Sequence, residues 1–173
     1  MATKEVAASA EVEKVEEHDS SEETKSLSAS VIVKNYIMGS VAAGFIPVPI
    51  ADMTVIAGVQ LKMLHALANL YEVKFTKNLG KSVVGSLTGG VAAAGVGKGA
   101  LLSLVKSFPI VGPALGAATM PAVAGASTYA VGQVFIQHFE SGGTFLDFDA
   151  DKVKAYFAEQ FEKGKLVVAD LRK

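Results

Sequence analysis

Few residues in this chain have the type and spacing that catalysis or ligand binding requires. The glycine-rich run Gly90–Gly99 contains the pair Gly97-Lys98 and so resembles a phosphate-binding loop. Such a loop needs an earlier glycine five positions before that pair, and a Ser or Thr after the lysine. Ala92 and Gly99 occupy those positions, so the run predicts close helix packing instead of nucleotide binding.

The titratable residues that most often form metal or catalytic sites are scattered. The three histidines, His18, His65 and His138, show no ligand spacing. Asp147, Asp149 and Asp151 alternate as in a calcium loop, but no glycine stands at the sixth position, which favours helix capping. No serine lies in a nucleophile motif, and cysteine is absent. The sequence therefore predicts no catalytic residue, no cofactor and no metal site.

A proline-rich turn separates the first two predicted helices. Pro47 and Pro49 lack backbone donors and hold the residues before them extended, which predicts a rigid turn. Asp52 follows and is predicted to cap the next helix. If Asp52 instead faced lipid or the bundle interior, it would pair with Lys62 or Lys81.

Polar residues recur at spacings of three, four and three along the helix predicted over about 53–72. They are Lys62, His65, Asn69 and Glu72. This spacing places them on one face of a helix whose other sides are apolar. We number this second predicted helix α2, name the four residues the α2 stripe, and predict that the stripe faces a polar partner or solvent.

A long segment after this helix is almost free of charge. Residues 107–137 carry no charged side chain, and residues 82–106 carry only Lys98 and Lys106. About 20 apolar residues in a helix cross the hydrocarbon core of a bilayer. The segment therefore predicts an apolar helical hairpin over about 82–138, either transmembrane or re-entrant. A soluble bundle with an unusually Gly/Ala-rich core is the alternative.

Glycine recurs at four-residue steps in this segment, and the chain has 17 glycines in all. Small residues four apart allow two helix backbones to approach closely in lipid. The predicted positions of helix packing and self-association are Gly85, Gly89, Gly95, Gly99, Gly112 and Gly116.

The two ends of the chain have a different, polar composition. Residues 1–26 contain eight acidic and three basic side chains, which predicts a disordered acidic tail over 1–27 and no signal peptide. An amphipathic helix is predicted over about 150–168, within a single domain formed by residues 28–173. A net charge of −1 with one arginine excludes broad binding to nucleic acid.

Several segments together resemble the YcjF-like family of bacterial membrane domains. The more specific pieces are the turn Ile46–Asp52 and the segment Gln137–Gly143, and the likeness covers about residues 28–165. The resemblance implies a helical, membrane-associated module, and some members are linked to small GTPases of the Era-like kind. It implies no activity. This chain shows no GTPase domain, so a GTPase would act in trans.

These observations predict an all-α helical bundle that acts as a non-enzymatic membrane anchor or scaffold. We expect it to self-associate, to contact the lipid bilayer and to have a small GTPase as a partner. The expected location is the bacterial inner membrane, with both termini in the cytoplasm. The alternative function is a pore-forming or membrane-remodelling protein that also has a soluble form.

Overall fold

A computed structural model describes residues 2–44, 51–94 and 113–171, with side chains over 20–44, 55–88 and 121–171. These ranges form five helices and no strand, which confirms the predicted all-α class. The helices are α1 (Ala2–Ala43), α2 (Ala51–Leu70), α3 (Lys77–Ala94), α4 (Pro113–Glu140) and α5 (Ala150–Asp170).

Helix α4 lies at the centre of the bundle. It packs most extensively against α5 and α1, and it also contacts α2. Val131 and Phe135 on α4 are fully buried, as are Val33 of α1 and Leu64 of α2. A helix that is apolar on all sides is stable only when it is covered all round. From residue 121 to 136, the described side chains of α4 are buried or half-buried against the other helices of the same chain, whereas Gln137 is exposed.

Helices α3 and α4 lie in the segment where a hairpin over 82–138 is predicted, and the hairpin as a whole stays a prediction. Helix α3 packs mainly on α2 and α5 and touches α4 only slightly, so α3 and α4 do not form a closely packed pair in the described residues. Within the three described ranges, no helix combines the length and the apolar character that crossing a membrane requires. The predicted tip of the hairpin, near Pro109, lies outside those ranges.

Helix α1 begins at Ala2, so residues 2–27, for which the composition predicts a disordered tail, are helical. Glutamate, the commonest residue there, has high helix propensity, as do the alanines and lysines of the same segment. Side chains 20–25 are all exposed, whereas Ala29 is fully buried against the bundle. The predicted boundary near residue 27 thus coincides with the point where α1 begins to pack.

Helix α5 covers the segment where the sequence predicts an amphipathic helix. Asp149 is its N-cap, and the carboxylate accepts a hydrogen bond from the backbone N–H of Asp151 at 3.0 Å. Phe157 and Phe161 are buried on one face, while charged side chains occupy the other. The cap fixes the start of α5 and so directs its apolar face onto α4.

Three glycines outside the predicted set allow the helices to approach one another. A Cβ atom at Gly132 would lie 2.6 Å from Cγ2 of Val33 on α1, and Gly125 is similarly enclosed. At Gly164 of α5, a Cβ atom would lie 2.9 Å from both the Cα and the carbonyl oxygen of Ala126. Because these last contacts are with backbone, α5 can lie this close to α4 only with glycine at position 164.

We expect Gly164→Ala and the control Gly85→Ala to change stability in opposite directions. The methyl group at position 164 would meet the Ala126 backbone, so the free energy of unfolding should fall by about 1–3 kcal/mol. At position 85 it would meet no atom within 4 Å. Alanine should therefore raise the free energy of unfolding by roughly 0.5–1 kcal/mol. Urea denaturation followed by circular dichroism measures both. Full stability of Gly164→Ala would contradict the close approach of α4 and α5.

Candidate functional site

The α2 stripe lies on the outside of the bundle. All four of its side chains are exposed, as the helical spacing predicts. The ring of His65 packs on Phe75, with 4.9 Å between ring centroids. The stripe thus extends along α2 and onto the turn that leads to α3. Its contact with a partner stays a prediction.

Glu72, the last residue of the α2 stripe, has an unusual backbone conformation. Its φ is +58°, in the left-handed region, and it is the only described non-glycine residue with a positive φ. The N–H of Val73 donates to the carbonyl of Ala68 at 2.8 Å, which closes the end of α2. Glycine normally occupies this position, because other residues pay roughly 1–2 kcal/mol there. An exposed carboxylate is therefore held where glycine would be more stable.

Phe75 joins the α2 stripe to helix α3. A Cβ atom at Gly80 would lie 2.8 Å from Cε2 of Phe75 and 2.9 Å from Cδ2 of Leu61. The glycine therefore admits both side chains against the α3 backbone. As a result, the exposed faces of α2 and α3 meet along one edge of the bundle.

A buried polar centre, which sequence reasoning missed, links α1, α2 and α4. Ser40 Oγ and Thr128 Oγ1 are 2.7 Å apart, and both residues are fully buried. Gln60 Nε2 donates to Ser127 Oγ at 3.1 Å and makes a weaker contact with Thr128 Oγ1 at 3.4 Å. Buried polar groups are costly unless they are paired, so these contacts fix the register of three helices.

A small cavity of about 140 Å³ lies beside this buried polar centre. Its described lining residues are Ile56, Ala57, Gln60, Thr88, Val123, Ala124 and Ser127. None of them is titratable. A serine or threonine hydroxyl needs an adjacent base to become a nucleophile. The described lining therefore supplies hydrogen bonding and packing, without a base for catalysis.

The other polar cluster closes the turn between α4 and α5. His138 Nε2 lies 2.8 Å from the carbonyl oxygen of Thr144. Asp147 Oδ1 accepts from the backbone N–H of Thr144 at 2.6 Å and from its hydroxyl at 2.5 Å. The hydroxyl bond, followed by the backbone bond, lowers the pKa of the Asp147 carboxyl.

The same turn explains the Gln137–Gly143 segment on which the family resemblance partly rests. Gly142 has φ +79°, and a Cβ atom at Gly143 would collide with the ring of His138. The nearby Ser141 hydroxyl donates to the carbonyl of Gln137. These residues therefore build a tight turn against the His138 ring, and Ser141 bonds to the helix end.

The remaining predicted positions fall in different places. Gly85 is exposed on α3, with open space above it, so it mediates no close contact within the described chain. Gly89 and Gly116 lie in α3 and α4, and Asp52 is the second residue of α2 instead of preceding it. Pro47, Pro49, Gly95, Gly99 and Gly112 lie outside the described residues.

Within the described ranges, no group of three or more acidic, histidine or cysteine side chains is arranged to hold a metal ion.

We expect Ser40→Ala and Thr128→Val to be strongly coupled. Each single variant removes the buried bond between the two hydroxyls and should lower the free energy of unfolding by about 1–3 kcal/mol. The double variant should lose less than the sum, by roughly 0.5–1.5 kcal/mol, because neither hydroxyl remains. Urea denaturation of the four proteins gives this coupling. As a control, the effects of Thr128→Val and of Ser82→Ala, a change at an exposed site, on the free energy of unfolding should be additive. Additive effects of Ser40→Ala and Thr128→Val would rule out the Ser40–Thr128 bond.

We expect Asp147→Asn to lower stability at neutral pH and to have little effect in strong acid. The pKa of Asp147 is lower in the folded protein, so the unfolded chain takes up the proton first. The stabilisation is present above the unfolded pKa, about 3.9, and is lost as the pH falls through the folded value. Urea midpoints measured across this range should converge for the two proteins as the pH falls. A constant difference would contradict this assignment.

Comparison with known proteins gives one family and one close relative. The profile of a family described as a domain of unknown function, DUF697, matches residues 7–165. Magnetosome membrane protein 22 of Magnetospirillum gryphiswaldense is 41% identical over 148 residues, which cover 86% of this chain and 76% of that protein. No solved structure matches. The profile spans far more than half of the sequence, and the chain therefore belongs to the DUF697 family.

Proposed function

We propose that this protein is a non-enzymatic, membrane-associated anchor or scaffold. The observation that carries the proposal is the 41% identity, over 86% of the chain, to a protein named as a membrane protein of the magnetosome. The polar groups support the same reading. In the described residues, the hydroxyls of the buried polar centre bond to each other and to Gln60, and no titratable side chain lines the adjoining cavity. Such an arrangement positions helices and supplies no group for acid–base chemistry.

Three finer features belong to the same proposal. The membrane is the bacterial inner membrane, with both termini on its cytoplasmic side. Self-association is supported by Gly85, which lies on an exposed face of α3 between exposed Ser82 and Ser86, with open space for a partner helix. A small GTPase acting in trans is supported by the resemblance to the YcjF-like family, some of whose members are linked to GTPases.

We expect the protein to sediment with membranes when bacterial cells that produce it are lysed and fractionated. A cytosolic enzyme and an integral membrane protein, followed in the same gradient, provide the two reference positions. Recovery only with the cytosolic enzyme would overturn the proposal. Light scattering of the purified protein measures self-association, and a strictly monomeric mass would overturn that part alone.

Release of a trapped dye from liposomes distinguishes the alternative function. An anchor or scaffold should bind vesicles and leave their contents in place. A pore-forming or membrane-remodelling protein should release the dye in proportion to the amount bound. Release at the level of a known pore-forming peptide would replace the scaffold proposal with the membrane-active one.

A further inference from the structure

Four exposed lysines surround the edge where α2 meets α3. They are Lys62, Lys74, Lys77 and Lys81. In the part of the chain that the structure describes, none of them forms an ion pair. The lysines of α5 behave differently: Lys152, Lys154 and Lys163 each lie within 4 Å of a carboxylate, at 3.7, 3.4 and 2.8 Å. The charges on the α2–α3 edge are thus available to an external anion.

Phe75 holds the elements that carry these lysines together. Its ring contacts His65 of the α2 stripe on one side and the backbone at Gly80 on the other. Leu61, the neighbour of Lys62, reaches the same glycine, which directly precedes Lys81. Lys77 and Lys81 are four residues apart and therefore share a face of α3. We name Lys62, Lys74, Lys77 and Lys81 the lysine patch.

Few negative charges oppose the lysine patch. Helix α3 contains no acidic residue, and Glu72 is the only acid of the α2 stripe. Glu140, at the end of α4, accepts a hydrogen bond from Tyr71 at 2.9 Å. Burial, together with Glu140, raises the pKa of Tyr71, which keeps its phenol protonated as a donor. The patch therefore keeps a net positive charge at neutral pH.

We infer that the lysine patch is the surface that contacts an anionic phospholipid bilayer. This inference rests on the proposed membrane association and names the surface and the lipid class that it uses. Lysines are mobile point charges, and these four are spread over two helices and a turn. That geometry suits a diffuse layer of headgroups, where each lysine near the surface strengthens binding several-fold.

The rival occupant is the acidic N-terminal segment of a second copy. Residues 1–26 carry eight acidic and three basic side chains, and side chains 20–25 are exposed on α1. Such a segment is also complementary to the patch. We favour the bilayer because the relative is a membrane protein, and we treat the second copy as an outcome of the test.

Vesicle flotation with the full-length chain tests the inference. The vesicles contain phosphatidylcholine alone, or phosphatidylcholine with phosphatidylglycerol. The wild-type protein should bind the anionic vesicles more tightly, and added salt should weaken that binding. The variant Lys74→Gln, Lys77→Gln, Lys81→Gln should lose about 100-fold in partition coefficient. The matched control Lys152→Gln, Lys154→Gln, Lys163→Gln removes the same charge from α5 and should lose less than about fivefold. Circular dichroism verifies that both variants are folded.

Several outcomes would overturn the inference. If both triple variants bind anionic vesicles equally well, the patch is not the contact surface, although membrane association stands. Equal binding of the wild-type protein to neutral and anionic vesicles would likewise show that the patch is not the contact surface. If the Lys74, Lys77, Lys81 variant binds vesicles normally but has a lower oligomeric mass in buffer, the acidic segment of a second copy occupies the patch. Absence of binding to any vesicle, together with recovery from cells in the cytosolic fraction, would overturn the proposed function itself.

Discussion

The burial of α4 is the constraint on which the rest of the bundle depends. From Pro113 to Gln137 this helix carries no charged side chain, so most of its surface cannot face water at low cost. Helices α1, α2 and α5 cover it, and the Phe135 ring alone packs against Phe139, Phe145 and Phe148. Full burial of one such aromatic side chain contributes about 1.5–3 kcal/mol. The positions of α1 and α5 follow from the need to cover this surface.

Covering a helix from several sides requires that some backbones come close, and residue size decides where. Gly125 and Gly132 lie seven residues apart on α4 and receive Val41 and Val33 of α1. Gly164 brings α5 onto the backbone of Ala126. Apolar packing alone tolerates sliding of helices, because it has no direction. The directional bonds among Ser40, Gln60 and Thr128 remove that freedom at the level where α1, α2 and α4 meet.

The sequence predicted the helical class, but it left open whether lipid or protein surrounds the apolar segment. Helical periodicity placed Lys62 and Glu72 on one exposed face, and Asp149 marked the start of α5. The charge-free segment indicated burial, but apolar side chains are equally suited to lipid and to a protein core. Glycine spacing was also ambiguous: steps of four led to Gly85, which is exposed, whereas the enclosed Gly132 and Gly164 pair with residues distant in the chain. The buried polar centre was missed because Ser40, Gln60 and Thr128 meet only after folding.

The surface of the bundle is electrostatically uneven, and this follows from how each helix obtains its stability. On α5, lysines and carboxylates alternate at helical spacing and pair with each other, which neutralises that face. The only charged residues of α3 are lysines. Lys74 lies in the turn before α3, and Lys77 is the first residue of the helix. Unpaired like charges do not help a helix to form, and Glu72 adds a backbone conformation that glycine would adopt more easily. The unpaired lysines and the left-handed backbone of Glu72 therefore lie on one edge of the molecule, away from the core contacts of α4. Costs of this kind that folding does not require are expected where a surface has to bind something, and they agree with the contact surface that we infer for the lysine patch.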